Sequence, residues 1–225
     1  MTLAKTAALI LHKDLLLEWR TRARTNALIF FGFSTLLLFS FALGPDTKLL
    51  QRNGAGYLWL ALLFSVVLAL GEAFRVESEN GAMDGLRLAP ADARALFLGK
   101  ALGTTLVSFL LSWSLVPAMI ALYDVKLTMG PGPLAVVLFL GCAAISAPGT
   151  VHAAISSNAR ARDLLLPLML FPLVVPALLA SVKATGLVLG GDPMGQLGGW
   201  LGLLAGFNVT FWGAGFVLFP KVIEP

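Results

Sequence analysis

Six apolar runs, each long enough to cross a bilayer as a helix, occupy most of this 225-residue chain. They extend from Ala27 to Leu43, Tyr57 to Phe74, Ala101 to Tyr123, Leu134 to Ile155, Leu164 to Val182 and Leu197 to Phe219. About twenty apolar residues span the hydrocarbon core as a helix, and there every backbone N–H and C=O must be bonded within the protein. The runs therefore predict an all-α integral membrane protein with six transmembrane helices, organised as a single transmembrane domain over residues 1–225. Charged residues make up 12% of the chain, against about a quarter in a soluble domain, so no separate globular domain is expected. The second run carries Glu72, which belongs at headgroup level or against other helices, because an ionised carboxylate is costly at mid-bilayer.

The excess of 16 basic over 12 acidic residues is explained by topology rather than by a nucleic-acid partner. With the leader in the cytoplasm, alternation of sides puts Lys5, Lys13, Arg20, Arg22, Arg24, Arg75, Arg87, Arg94, Lys100, Arg160, Arg162 and Lys221 inside; only Lys48, Arg52, Lys126 and Lys183 lie outside. Basic residues favour the cytoplasmic face, so both termini are expected there. The leader, residues 1–26, is too long and too charged for an ordinary secretory signal, and the first span should be retained as an anchor. Leu3, Ile10 and Leu17 recur at seven-residue spacing, with Lys13, Arg20 and Arg24 nearby and Trp19 available for the interface. This pattern predicts an amphipathic surface helix; the alternative is a solvated basic anchor that only sets orientation. Asp14 falls inside the apolar arc and Leu16 outside it, so the stripe is imperfect.

The longest and most polar connection follows the second span, within residues 75–100. Glu77, Glu79, Asp84, Arg87 and Arg94 keep it in water, Met83, Leu86 and Leu88 give it an apolar edge, and Gly81 and Gly85 allow sharp turns. Pro90 limits helix on its N-terminal side. A short helix held between two spans suits a coupling element that passes force from a cytoplasmic partner into the membrane; the alternative is a plain connecting loop. The chain lacks the Gly-x-x-x-x-Gly-Lys-Ser/Thr loop that cradles nucleotide phosphates, Gly99-Lys100 being the nearest approach. ATP and Mg²⁺, if they drive the protein, must be bound by another subunit. No enzyme activity is expected, since no Ser/His/Asp set, paired carboxylates or metal-ligand spacing is legible. His12 and His152 read as polar packing residues, and the single cysteine, Cys142, excludes an intrachain disulfide.

Pro148 and Gly149 in the fourth run, with Pro167, Pro172 and Pro176 in the fifth, mark sites of helix kink or hinge, and both spans are expected to face protein. In the sixth run Gly198, Gly202 and Gly206 recur every four residues. They form a strip for helix packing, within the subunit or against a second copy.

Several ordered stretches together resemble a known family. They are Lys13-Asp14-Leu15 with Glu18 and Arg20, Gly44-Pro45-Asp46, Leu68-Ala69-Leu70, Glu77 to Leu88 containing Asn-Gly-Ala-Met-Asp-Gly-Leu, Ala89-Pro90, Phe97-Leu98-Gly99-Lys100, Ser146-Ala-Pro-Gly149 and Leu164 to Pro176. In order and spacing the chain resembles the CcmB family, haem exporter permeases of the cytochrome c maturation ABC transporter. Ser146 departs from the resemblance, since glycine is common at that position. The resemblance implies an ABC-2-like permease fold, a second copy of the chain, and a CcmA-like ATPase dimer docking below the bacterial inner membrane. It makes Glu77, Glu79, Gly81, Met83, Asp84, Gly85, Leu86, Leu88 and Pro90 the ATPase-coupling residues. CcmC- and CcmD-like membrane subunits and a CcmE-like haem chaperone would be the other partners. Haem belongs to the wider complex, with no haem-binding residue assignable in this chain. The expected function is to couple ATP hydrolysis by the partner either to haem export or to release of the haem-loaded chaperone. An ABC-2 permease for a lipid, polysaccharide or drug, and a non-transporting assembly factor in a cytochrome-maturation complex, are the alternatives.

Overall fold

A computed structural model describes residues 2–20, 22–44, 46–79, 92–157 and 162–223; side chains at 23, 73–79 and 162–163 are left undescribed. Its helices are α1 (Leu3–Arg20), α2 (Arg22–Leu43), α3 (Thr47–Glu79), α4 (Ala93–Tyr123), α5 (Pro131–Ser157), α6 (Arg162–Gly190) and α7 (Leu197–Ile223). Six of them, α2 to α7, are long and apolar enough to cross a membrane. The described residues contain no strand.

The helices run past the apolar runs because their polar ends are locally capped. The α2–α3 turn is short: Gly44 takes a left-handed φ of 64°, a conformation cheap only without a Cβ. The Asp46 carboxylate then accepts the Leu49 N–H at 3.1 Å, an N-cap that starts α3 ten residues before the apolar run. Asp92 does the same for α4 by accepting from Arg94 N at 2.9 Å. Pro131 opens α5, where its missing N–H and fixed φ suit the first helical position. The first turns of α3 thus hold Lys48, Gln51, Arg52 and Asn53 in helix ahead of the apolar run.

α5 is the axis of the bundle, packed by α3, α4, α6 and α7. Residues 141–150 are all buried, and their small side chains let neighbouring helices approach. The Trp59 ring lies against the bare face of Gly141, and Leu70 lies against Gly149. Trp59 is 1% exposed, and its indole N–H donates to Thr185 Oγ1 at 2.8 Å, so α3 crosses α5 and reaches α6 with its one polar group satisfied. Polar side chains within the helices bond their own carbonyls: Ser146 to Cys142 at 2.8 Å and Thr150 to Ser146 at 2.8 Å.

α7 is the most peripheral span, yet it is keyed to α5 by two polar residues. Asn208 Nδ2 donates to the Leu140 carbonyl at 3.0 Å, and Trp212 Nε1 to the Ala143 carbonyl at 3.2 Å. Interhelical bonds of this kind fix rotation and register where apolar contacts alone would let a helix turn. Within this chain α5 is enclosed by its neighbours, whereas α6 packs on one face only. On α6, Leu164, Leu168, Val175 and Leu179 are 51–73% exposed and Pro172 and Pro176 lie on the same open side. One face of α6 packs through Leu166, Leu170, Val174 and Ala177, and helical periodicity turns the prolines away from it.

Candidate functional site

The charged side chains at the α1 end of the bundle form a connected clamp. α1 lies against the start of α4, where Gly99 and Gly103 leave a flat bed: a Cβ on Gly99 would stand 2.8 Å from Ile10 Cβ and 2.9 Å from the Ala7 carbonyl oxygen. The face used is Ala7, Ile10, Leu11 and Asp14, an i, i+3, i+4, i+7 set. It is not the Leu3–Ile10–Leu17 line suggested by the seven-residue spacing; Leu17 is 50% exposed and Ala7 is buried. Asp14 breaks the apolar stripe because it has a partner. Its Oδ2 lies 3.3 Å from Nζ of Lys100, whose side chain is 4% exposed. An ammonium held that far from water needs an opposite charge beside it.

One turn further along α1, Glu18 meets α2. Its Oε2 lies 3.5 Å from Arg24 Nη1 and its Oε1 accepts from the Thr25 hydroxyl at 2.7 Å. Arg24 Nη2 also donates to the Ala69 carbonyl on α3 at 2.6 Å. Asp14 and Glu18, four residues apart on one helix face, therefore tie α1 to α4 and to α2, while Arg24 ties α2 to α3. Glu72, three residues beyond Ala69, is half-buried at this same end. Nearby, Arg94 stacks over the Phe216 ring of α7 at 5.3 Å, and Gly215 gives room for Phe97, which also contacts Phe219 at 5.4 Å.

The candidate coupling residues Gly81, Met83, Asp84, Gly85, Leu86, Leu88 and Pro90 lie outside the described residues; Glu77 and Glu79 fall in the last turns of α3, where side chains are undescribed. What the structure does describe is their attachment. The connection leaves α3 and enters α4, two helices held by the clamp. Pro148, Pro167, Pro172 and Pro176 all lie within continuous helices. His152 Nδ1 pairs with the Pro148 carbonyl at 2.7 Å. Gly198, Gly202 and Gly206 meet nothing among the described residues within 4 Å of an added Cβ, so no described helix of this chain packs on that strip. The glycines on which an added Cβ would crowd a neighbour most closely are Gly32, Gly99, Gly141, Gly149 and Gly215. Among the described residues no group of three or more His, Cys, Asp or Glu gathers as a metal site.

This architecture defines the class: a polytopic, all-α membrane protein whose charge clamp gathers its N-terminal helix and first spans at one end. The particular family follows from the sequence as a whole, since residues 5–217 match the profile of the CcmB protein. The chain belongs to the CcmB family. It is 32% identical over 204 residues to the heme exporter protein B of Pseudomonas aeruginosa, covering 90% of this chain and 91% of that one. The corresponding protein of Rhodobacter capsulatus is 33% identical over 180 residues, 77% of this chain and 79% of its own. That of Paracoccus denitrificans is 32% identical over 193 residues, 84% and 86% of the two chains.

Proposed function

We propose that this chain is the membrane permease subunit of an ATP-driven complex in the bacterial inner membrane, with both termini cytoplasmic. In this reading a CcmA-like ATPase dimer, bound to two copies of the chain, supplies the hydrolysis. Hydrolysis is coupled to haem export or to release of a haem-loaded chaperone. The observation that carries the reading is the likeness, along nine-tenths of both chains, to a relative named heme exporter protein B. Two features support it. The polar connection through residues 80–91 joins α3 and α4, and the clamp links those helices to α1 and α2, so a push on the connection would be shared by four helices rather than absorbed in one hinge. Alternation of the six spans assigns twelve basic residues to the side of the N-terminal leader and four to the other, which favours a cytoplasmic α1.

Charge reversal at Glu77, Glu79 and Asp84 tests the coupling. The expected result is loss of the co-purifying ATPase and of mature c-type cytochrome, with the membrane protein still present at its normal level. Normal ATPase association together with normal cytochrome maturation would show that the connection is not the coupling element. Purification of the intact complex with identification of its subunits and any bound haem tests the partners; a chain that purifies with no nucleotide-binding companion would remove the reading altogether.

A further inference from the structure

At the end of the bundle opposite α1, the first turns of α3, the α4–α5 loop and the last turns of α6 border a half-open hollow of about 610 Å³. Three of the four basic residues expected on that face, Lys48, Arg52 and Lys126, line it, together with Gln51 and Asp124. Lys48 and Arg52 are one helical turn apart on α3 and so share a face. The floor is apolar, made by Ala55, Val125 and Leu189, each no more than 7% exposed.

The ordinary reason for cations at such a place is to neutralise helix C-termini, and here that task is already done. The last carbonyls of α6 are bonded by neutral donors: Leu187 accepts from Gly191 N at 2.8 Å, Val188 from Met129 N at 3.1 Å, and Leu189 from Thr128 N at 3.3 Å and the Thr128 hydroxyl at 2.6 Å. Beyond the end of α4, the Asp124 carbonyl accepts from Gln51 Nε2 at 2.8 Å, and the same amide nitrogen lies 3.4 Å from Asp124 Oδ2. No ion pair to Lys48, Arg52 or Lys126 forms among the described residues. Three cations and one carboxylate around one hollow leave a net charge of about +2 that protein groups do not offset.

From this arrangement we infer that the cavity is a binding site for the phosphate of an anionic phospholipid in the leaflet at that end. A guanidinium and two ammonium groups are the chemistry that holds phosphate oxygens. The site lies in the terminal turns of spanning helices, where lipid headgroups sit, and its apolar floor suits the glycerol and upper acyl carbons rather than a fully hydrated ion. The inference requires only that the helices span a membrane and is independent of the proposed transport function.

The test is native mass spectrometry of the intact membrane complex released from bilayers of mixed phosphatidylglycerol, cardiolipin and phosphatidylethanolamine. The K48Q/R52Q/K126Q variant should lose retained anionic lipid by about tenfold or more, with zwitterionic lipid unchanged. Lys183→Gln, which removes the fourth outer cation but not a lining residue, should retain the wild-type amount. Asp124→Asn, which removes the one acid and still tolerates the left-handed φ of 50°, should raise retention, a gain that a misfolded variant could not produce. Equal anionic-lipid retention by the triple variant, or a loss in Asp124→Asn, would overturn the site. Thermal stabilisation by inorganic phosphate with no lipid retained would overturn the lipid assignment in favour of a free anion.

Discussion

Replacing Gly141 by alanine should be among the most damaging single-methyl changes in this protein. The added Cβ would overlap the outer ring of Trp59, stand 2.8 Å from its Cζ3 and 2.6 Å from Ser181 Oγ. Trp59 cannot easily yield: it is 1% exposed and tilting its ring stretches the 2.8 Å bond to Thr185. Overpacking of a well-filled interior costs about 1–3 kcal/mol, and a weakened interhelical bond adds about 0.6 kcal/mol, so G141A should lose about 2–3 kcal/mol. The crowded atoms belong to the six-membered part of the indole, which projects beyond the reach of a phenyl ring. W59F should therefore be destabilised on its own, through the lost bond and volume, and yet accept G141A at a further cost under about 1 kcal/mol. The four proteins can be compared by reversible SDS unfolding in mixed micelles, with G202A as the control whose methyl meets nothing within 4 Å and should change stability by less than about 0.5 kcal/mol. If G141A costs as much in the W59F background as in the wild type, the two sites are not in contact and the packing of α3 on α5 described above is wrong.

The clamp makes its own predictions. Asp14→Asn removes the carboxylate beside the nearly inaccessible ammonium of Lys100 and should cost about 2 kcal/mol or more. Lys100→Met should cost less, because Asp14, at 24% exposure, can reach water; thermal melts with the reverse order would remove the pair as a stabilising contact. Arg24→Gln loses both the Glu18 pair and the bond to the Ala69 carbonyl, a drop of about 1–2 kcal/mol, and should speed amide hydrogen exchange at the α1–α2 elbow; unchanged exchange there would mean that the elbow does not depend on Arg24. Because Cys142 is buried, a C142A background carrying Ala82→Cys gives a clean topology probe. Impermeant maleimide should label it only after the cytoplasmic face is opened, and labelling on intact cells would place the connection beyond the reach of a cytoplasmic ATPase.

What was legible in the sequence was whatever depends on local sums: six runs of sufficient length, their order, and the imbalance of charge between the two faces. What was not legible was contact. Asp14 read as a flaw in an amphipathic stripe because its partner lies 86 positions away, and Lys100 read as one more cation in the topology count when it is a buried, paired charge; the count without it is eleven to four and still gives the same orientation. The glycines show the same limit. Regular spacing singled out Gly198, Gly202 and Gly206, whose faces meet nothing among the described residues, while the irregularly placed Gly99, Gly141, Gly149 and Gly215 receive Ile10, Trp59, Leu70 and Phe97. A glycine permits close approach, but whether a neighbour comes depends on how distant helices cross, which no local pattern encodes.

The two ends of the bundle use charge in opposite ways, and this contrast bears on how a six-span protein with so little polar mass could do work. At the α1 end, acids and bases are brought together within the chain: Asp14 with Lys100, Glu18 with Arg24, and Arg24 with a backbone carbonyl. Such contacts fix four helices relative to one another, so under the proposed function a push on the 80–91 connection would move them together. At the far end the terminal carbonyls are satisfied by neutral donors, and three cations face a hollow with Asp124 as the one acid beside them. Between the two lies α5, buried along residues 141–150 and locked to α3 by Trp59 and to α7 by Asn208 and Trp212. A displacement of α3 at the clamped end must therefore be felt at Lys48 and Arg52, which sit on the same helix. The clamp variants should consequently alter anionic-lipid retention at the distant cavity; lipid retention that ignores Arg24→Gln would mean that α3 bends between its ends rather than moving as one rod.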